Sequence, residues 1–196
     1  MHGVPPLVAE VEVAGRTDQA IARDLLLGAG LTGADVDAGA ARVLAGTIAA
    51  YERLVPDDLS RFVAPGVPEL LAALAARPDD FRLALLTGNL EPIAHLKLGR
   101  AGIGSYFERG QGGFGSDSED RDRLPAIARA RASSPPWPQE RTVVIGDTPR
   151  DIACARADGV RVAAVTTGMF GAPELAEADA VVDDARALLP VLDDWL

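Results

Sequence analysis

The chain has 196 residues, which suits one domain of ordinary size or a core domain with a small insert. Its hydrophobic fraction of 48% and charged fraction of 24% are typical of a globular protein, and no apolar run is long enough for a transmembrane helix. The net charge of −10 and the lack of a basic patch argue against nucleic acid and membranes as partners. The single cysteine, Cys154, excludes an internal disulfide, so we expect a cytoplasmic protein.

The first part of the chain has the pattern of a small helical module. Apolar residues recur at helical spacing over about residues 17–29 and 34–53, and a Pro-Asp-Asp sequence at 56–58 ends the second stretch. We therefore expect a helical cap over residues 15–65. An N-terminal remnant over 1–14 precedes it, and residues 7–13 alternate as a strand does.

Residues 66–196 have the pattern of an α/β core. A helix is predicted directly after Gly66, and from there on short apolar runs alternate with helical stretches. We predict strands over 81–86, 141–145, 160–165 and 180–182, and helices over 91–101, 149–157 and 185–195. This alternation predicts a Rossmann-like parallel sheet flanked by helices, and it leaves the oligomeric state open.

Several residues that often serve chemistry have simpler interpretations here. The glycine-rich segment 110–115 lacks the lysine of a phosphate-binding loop, so we predict a flexible loop. We expect His95 on the surface of its helix and Cys154 as a small packed residue. Asp35 and Asp37 follow a glycine rather than an apolar strand, so we interpret them as acids at a helix start.

A pair of carboxylates follows the predicted strand 141–145. Asp147 closes the strand, and Asp151 falls in the first turn of the next helix, so both belong to one rim of the sheet. Mg²⁺ prefers oxygen ligands and often takes one or two carboxylates. The same residues also match a helix capping box, because Thr148 stands three residues before Asp151.

A second strand end carries the sequence Thr87-Gly88-Asn89. The threonine hydroxyl and the N–H groups that follow it, at a helix N-terminus, suit an anion such as phosphate. A plain strand–turn–helix joint with good turn chemistry explains this segment equally well.

Together, LLTGN (85–89) and GDTPRD (146–151) resemble two motifs of the haloacid dehalogenase-like hydrolases, specifically phosphatases close to phosphoglycolate phosphatase. The resemblance implies a Rossmann-like core with a helical cap and Mg²⁺-dependent hydrolysis of a small phosphorylated metabolite. It implies that Thr87, with Gly88 and Asn89, holds the phosphoryl group. Asp147 and Asp151 would hold Mg²⁺.

The family places a lysine between these two motifs, where this chain has Arg121, with Arg123 as the alternative. The resemblance makes this residue a catalytic contact to the phosphoryl group. Dehalogenase chemistry is disfavoured because it needs no acidic metal-binding pair, and no feature selects a phosphomutase.

The family's nucleophile motif, Asp-x-Asp-Gly-Thr at the end of a strand, does not occur in this sequence. By resemblance, that strand is the central one of the sheet, and its first aspartate attacks phosphorus. We expect a gene model with a truncated N-terminus, which makes the catalytic competence of this chain doubtful. The alternative is a non-catalytic relative that binds phosphate or a protein.

Overall fold

The computed structural model describes residues 13–196. The predicted strand over 7–13 and the predicted N-terminal remnant lie outside this range except for their last residues. The α-helices are α1 (Asp18–Gly28), α2 (Gly33–Leu54), α3 (Val67–Ala75), α4 (Glu91–Arg100), α5 (Leu124–Ala132), α6 (Pro149–Ala157) and α7 (Leu188–Asp194). The strands are β1 (Leu85–Thr87), β2 (Gly112–Phe114), β3 (Val143–Gly146), β4 (Arg161–Val165) and β5 (Ala180–Val182). Between residues 13 and 196, no helix combines the length and apolar character needed to cross a membrane.

The two N-terminal helices begin at threonine caps. The Thr17 hydroxyl accepts a hydrogen bond from the Ala20 amide, and the Thr32 hydroxyl accepts one from the Asp35 amide. The Asp35 carboxylate accepts the Thr32 N–H in return, which completes a capping box. The interpretation of Asp35 as an acid at a helix start is therefore confirmed. Asp37 forms an exposed ion pair with Arg23.

Every strand pair in the described part of the chain is parallel, as the alternation of strands and helices predicted. Strand β1 pairs with β2, and β4 lies between β3 and β5. The side chains of β4 point alternately to the two faces of the sheet: Val162 and Ala164 join a cluster with α6, whereas Ala163 joins one with α3 and α7. Both faces are thus covered by helices, which is usual for parallel strands.

The prediction of a flexible loop over 110–115 is wrong, because residues 112–114 form the buried strand β2. A Cβ atom at Gly112 would overlap the backbone of Leu85, and one at Gly113 would overlap the Leu124 carbonyl. The two glycines therefore let β2 fit tightly between β1 and α5. Phe114 is fully buried.

The expectation that His95 lies on the helix surface is also wrong. Its side chain is buried, and its ring lies 5.9 Å from that of Phe114. The His95 ring thus faces Phe114 of β2 rather than solvent. The expectation that Cys154 is a packed residue is confirmed, since it is buried. The predicted helix over 185–195 is present as a short 3-10 turn followed by α7, which packs on the sheet.

The sheet consists of two parts, because the described residues form no ladder between β1 and β3. A cavity of about 440 Å³ lies where these two strands face each other, and apolar side chains of α3, α5 and α7 complete its walls. Ile145 is 41% exposed there. Strand β1 is shorter than the predicted strand 81–86, since β2, its one partner within residues 13–196, pairs with residues 85–87 alone.

Candidate active site

The Thr87-Gly88-Asn89 turn connects the end of β1 to helix α4. The Asn89 amide donates a hydrogen bond to the Thr87 hydroxyl, with 3.2 Å between the two atoms. A Cβ atom at Gly88 would overlap the Arg16 carbonyl oxygen, so glycine is required where the chain before α1 crosses this turn. The turn therefore presents a hydroxyl and backbone N–H groups at the carboxyl end of the sheet.

Asp151 is buried and forms several hydrogen bonds at the end of β3. Its Oδ2 accepts from the amides of Asp147 and Thr148 at 3.1 and 3.0 Å, and from the Thr148 hydroxyl at 2.8 Å. The capping box that the sequence allowed is thus present. A Cβ atom at Gly146 would overlap this carboxylate, so the strand end also depends on glycine.

Asp147 offers the more available carboxylate of the pair. It is half-buried, and among residues 13–196 no side chain donates a hydrogen bond to it. Burial and the neighbouring Asp151 raise its pKa above the ordinary range. A divalent cation at this carboxylate would offset both effects.

Arg121 forms an ion pair with Asp151, through Nη2 and Oδ1. The Arg121 side chain is 14% exposed, and its Nε has no hydrogen-bond acceptor among the described residues. This buried N–H group is therefore available to an anion at the rim. The alternative candidate, Arg123, is exposed to solvent.

Three residues that the sequence analysis did not name as site residues hold these loops together. Gly15 packs against Thr148 and Arg150. The buried Thr17 hydroxyl donates to the Glu119 carbonyl at 2.8 Å, in the loop that leads to Arg121. The Asp18 amide donates to the Gly88 carbonyl at 2.7 Å. The segment 15–18 thus contacts all three loops of the site.

The carboxylate oxygens at this rim suit a hard cation, although the protein would supply only a few of its ligands. The described residues contain no cluster of three or more acidic, histidine or cysteine side chains that could hold a metal. Mg²⁺ nevertheless often binds through one or two carboxylates, with waters and substrate phosphate as the other ligands. Asp147 meets this requirement directly, whereas Asp151 is occupied by Arg121 and the helix cap.

A family model described as haloacid dehalogenase-like hydrolase matches residues 8–156. The chain is 32% identical over 195 residues to the phosphoglycolate phosphatase of Pseudomonas putida, which covers 96% of this chain and 68% of that protein. It is 34% identical over 143 residues to the phosphoglycolate phosphatase of Rhodospirillum rubrum, which covers 72% of this chain and 56% of that protein.

A solved structure has a similar fold. It is CbbY from Rhodobacter sphaeroides in complex with phosphate, with a TM-score of 0.52 and 24% identity over 66% of this chain and 58% of that chain. The chain thus spans little more than half of the Rhodospirillum relative and about two thirds of the Pseudomonas one. The match of the family model over most of the sequence shows that the chain belongs to the haloacid dehalogenase-like hydrolases.

Proposed function

We propose that the protein is built for Mg²⁺-dependent hydrolysis of a small phosphomonoester, in the cytoplasm, with a helical cap over residues 15–65 and a core over 66–196. The observation that carries the proposal is that the segment 15–18 contacts three loops: the Thr87 turn, the loop that leads to Arg121, and the end of β3 that carries Asp147. The names of the two phosphoglycolate phosphatases support a substrate of the phosphoglycolate type.

Each residue has a role in this proposal. The Thr87 hydroxyl and the Gly88 amide bind the phosphoryl oxygens, and Asn89 positions that hydroxyl through its backbone N–H. Arg121 places its unpaired Nε–H toward the same anion, and Asp151 holds the guanidinium in position. Asp147 holds Mg²⁺, which supplies positive charge that stabilises the phosphoryl group during transfer.

The proposal assigns no nucleophile within residues 13–196. In-line attack on phosphorus needs a carboxylate or an activated water, and the described carboxylates at this rim already serve the cation and Arg121. We therefore expect this sequence to bind Mg²⁺ and phosphate but to hydrolyse phosphomonoesters very slowly.

Calorimetric titration with Mg²⁺, in the presence of inorganic phosphate, tests the metal role of Asp147. We expect Asp147→Asn to abolish the binding heat, because the amide loses the negative charge that a hard cation requires. Asp79→Asn is the matched control, since Asp79 is an exposed acid outside the site. Equal heats in the wild type and in Asp147→Asn would refute the assignment.

Turnover of p-nitrophenyl phosphate tests the assignment of the nucleophile. We expect negligible hydrolysis by the 196-residue chain. Asp35 caps α2, so Asp35→Asn is expected to leave that low rate unchanged. Rapid turnover that Asp35→Asn abolishes would overturn this expectation. Phosphate binding without turnover would also match the alternative of a non-catalytic relative that binds phosphate or a protein.

A further inference from the structure

Lys97 is chemically distinct from every other basic residue of the chain. The sequence has 19 basic residues, and Lys97 is the one lysine among them. Arginine carries a wide planar fork, whereas lysine presents a compact charge on a flexible stem. Lys97 lies in α4, directly after the Thr87-Gly88-Asn89 turn, and is partly buried.

A chain of hydrogen bonds connects Lys97 to the Thr87 hydroxyl. The Lys97 ammonium donates to Asn89 Oδ1 at 2.9 Å and lies 4.8 Å from the centre of the Tyr51 ring. The Asn89 backbone N–H donates to Thr87 Oγ1. The Asn89 side-chain amide donates to Asp18 Oδ1 at 3.1 Å. One residue, Asn89, thus separates the ammonium from the candidate phosphoryl site.

The ammonium of Lys97 has hydrogen-bonding capacity to spare. It carries three N–H groups. Within residues 13–196, Asn89 is its only hydrogen-bond acceptor, and no carboxylate lies within ion-pair distance. The nearby Asp18 carboxylate is already engaged by the Asn89 side chain and by the Leu90 amide at 2.9 Å.

This environment favours the arrival of an anion. Burial lowers the pKa of Lys97, which reflects the cost of keeping the ammonium away from water. Asp18 attracts the ammonium electrostatically but forms no direct ion pair with it, so an anionic ligand group in contact with Lys97 would offset the remaining cost of burial. The aromatic face of Tyr51 compensates for part of the lost hydration.

We propose that Lys97 binds a second anionic group of the substrate, so that the site selects phosphomonoesters that carry a carboxylate or a second phosphate close to the phosphoryl group. This inference rests on the proposed function, because it takes the Thr87 turn as the phosphoryl site. Lys97 acts here as a specificity-determining residue and takes no part in bond breaking.

A role of Lys97 in specificity can be distinguished from a structural role by comparing two ligands that have the same phosphoryl group but differ in the second anionic group. The probes are 2-phosphoglycolate, which has a carboxylate, and ethyl phosphate, which has a methyl group instead. In calorimetry with Mg²⁺ present, we expect the wild type to bind 2-phosphoglycolate about tenfold more tightly, in line with a hydrogen-bonded charge pair. Lys97→Met should remove this preference and leave ethyl phosphate binding unchanged, whereas Lys97→Arg should retain part of it.

The outcomes separate the two proposals. If Lys97→Met weakens both ligands equally, or if the wild type shows no preference, Lys97 has only a structural role and the inference fails. Thr87→Ala is expected to weaken both ligands in either case. If it weakens neither, the phosphoryl site is misplaced, and both proposals fall.

The unique lysine allows a second test on the wild-type protein alone. An amine-reactive acetylating reagent, followed by mass spectrometry of the Lys97 peptide, reports the accessibility of this one side chain. We expect 2-phosphoglycolate to slow the modification of Lys97 several-fold, and ethyl phosphate to leave it unchanged. The α-amino group of the chain is the internal control. Equal protection by both ligands would contradict a contact with the second anion.

Discussion

Asp151 connects the start of α6 to Arg121 through its two carboxylate oxygens. One oxygen accepts the hydrogen bonds that cap α6, and the other binds the guanidinium of Arg121. Both side chains are mostly buried, with 9% and 14% of their surface exposed. Such a pair adds little net stability when intact, but removal of one partner leaves the other charge buried and uncompensated.

We expect Asp151→Asn to lower the free energy of unfolding by about 3 kcal/mol, the cost of breaking a buried ion pair. Urea denaturation of the single and double variants provides the measurement. Arg121→Met should cost much less in the Asp151→Asn background than in the wild type, because the unpaired charge is then gone. Additive effects of the two substitutions would contradict the coupling.

The site residues at strand ends could be located from the sequence, whereas the residues that connect the loops of the site to one another could not. Thr87 and Asp147 follow apolar runs, so their place at the carboxyl rim could be predicted from topology alone. Thr17 and Asp18 make long-range contacts to Glu119 and Gly88, and nothing in their local sequence indicates these partners beyond the helix cap at Thr17.

At the scale of elements, one ion pair connects α6 to strands β4 and β5. Arg156 in α6 donates two hydrogen bonds to the Asp179 carboxylate, each at 2.9 Å. Asp179 precedes β5 and also accepts the Val162 amide of β4 at 2.8 Å. The Arg156 guanidinium, with help from this amide, holds the pKa of Asp179 below its usual range.

The lowered pKa predicts a pH-dependent contribution to stability. In the folded protein Asp179 ionises at lower pH than in the unfolded chain, so its contribution is complete above about pH 4 and is lost as the pH falls through the folded-state pKa. We expect Asp179→Asn to lower the free energy of unfolding by about 1 kcal/mol at pH 7, since the pair is partly exposed.

Urea denaturation at pH 7 and at about pH 3 measures this effect. The difference between wild type and Asp179→Asn should shrink at the lower pH. Asp193→Asn offers a comparison, because Asp193 forms an exposed ion pair with Arg77 and accepts no backbone N–H from any of the five described strands. A difference that stays constant with pH would contradict the role of the Asp179 charge.

Strand β2 explains why element prediction failed in one place. Its residues Gly112 and Gly113 have low strand propensity, so the sequence favours a loop. Tertiary packing overrides that preference, because only glycine fits between β1 and α5. The same omission misplaced His95: without β2, helix α4 had no surface on which to bury that face.

At the scale of the molecule, the divided sheet is the dominant feature. The facing edges of β1 and β3 have no ladder partner among the described residues, and Ile145 lies exposed in the cavity between them. Exposed apolar surface in such a groove binds hydrophobic dyes.

We therefore expect the 196-residue chain to enhance the fluorescence of 8-anilinonaphthalene-1-sulfonate. Ile145→Thr should reduce this signal, because it removes apolar surface and keeps a β-branched residue in the strand. Met169→Thr is the control, since Met169 is 88% exposed and does not line the cavity. A wild-type chain that binds no dye and melts sharply above about 50 °C would show that the groove is closed.

The short segment from Gly15 to Asp18 has a practical consequence for protein engineering. It belongs by position to the helical part of the chain, yet its contacts lie with the loops after β1 and β3 and with the loop before Arg121. A chimaera in which a foreign helical segment starts at residue 15 would therefore lose the contacts of residues 15–18 that hold the loops of the phosphoryl site together. The junction between the two proteins should therefore lie after Asp18. New helices can then be attached while residues 15–18 keep their contacts with the loops of the site.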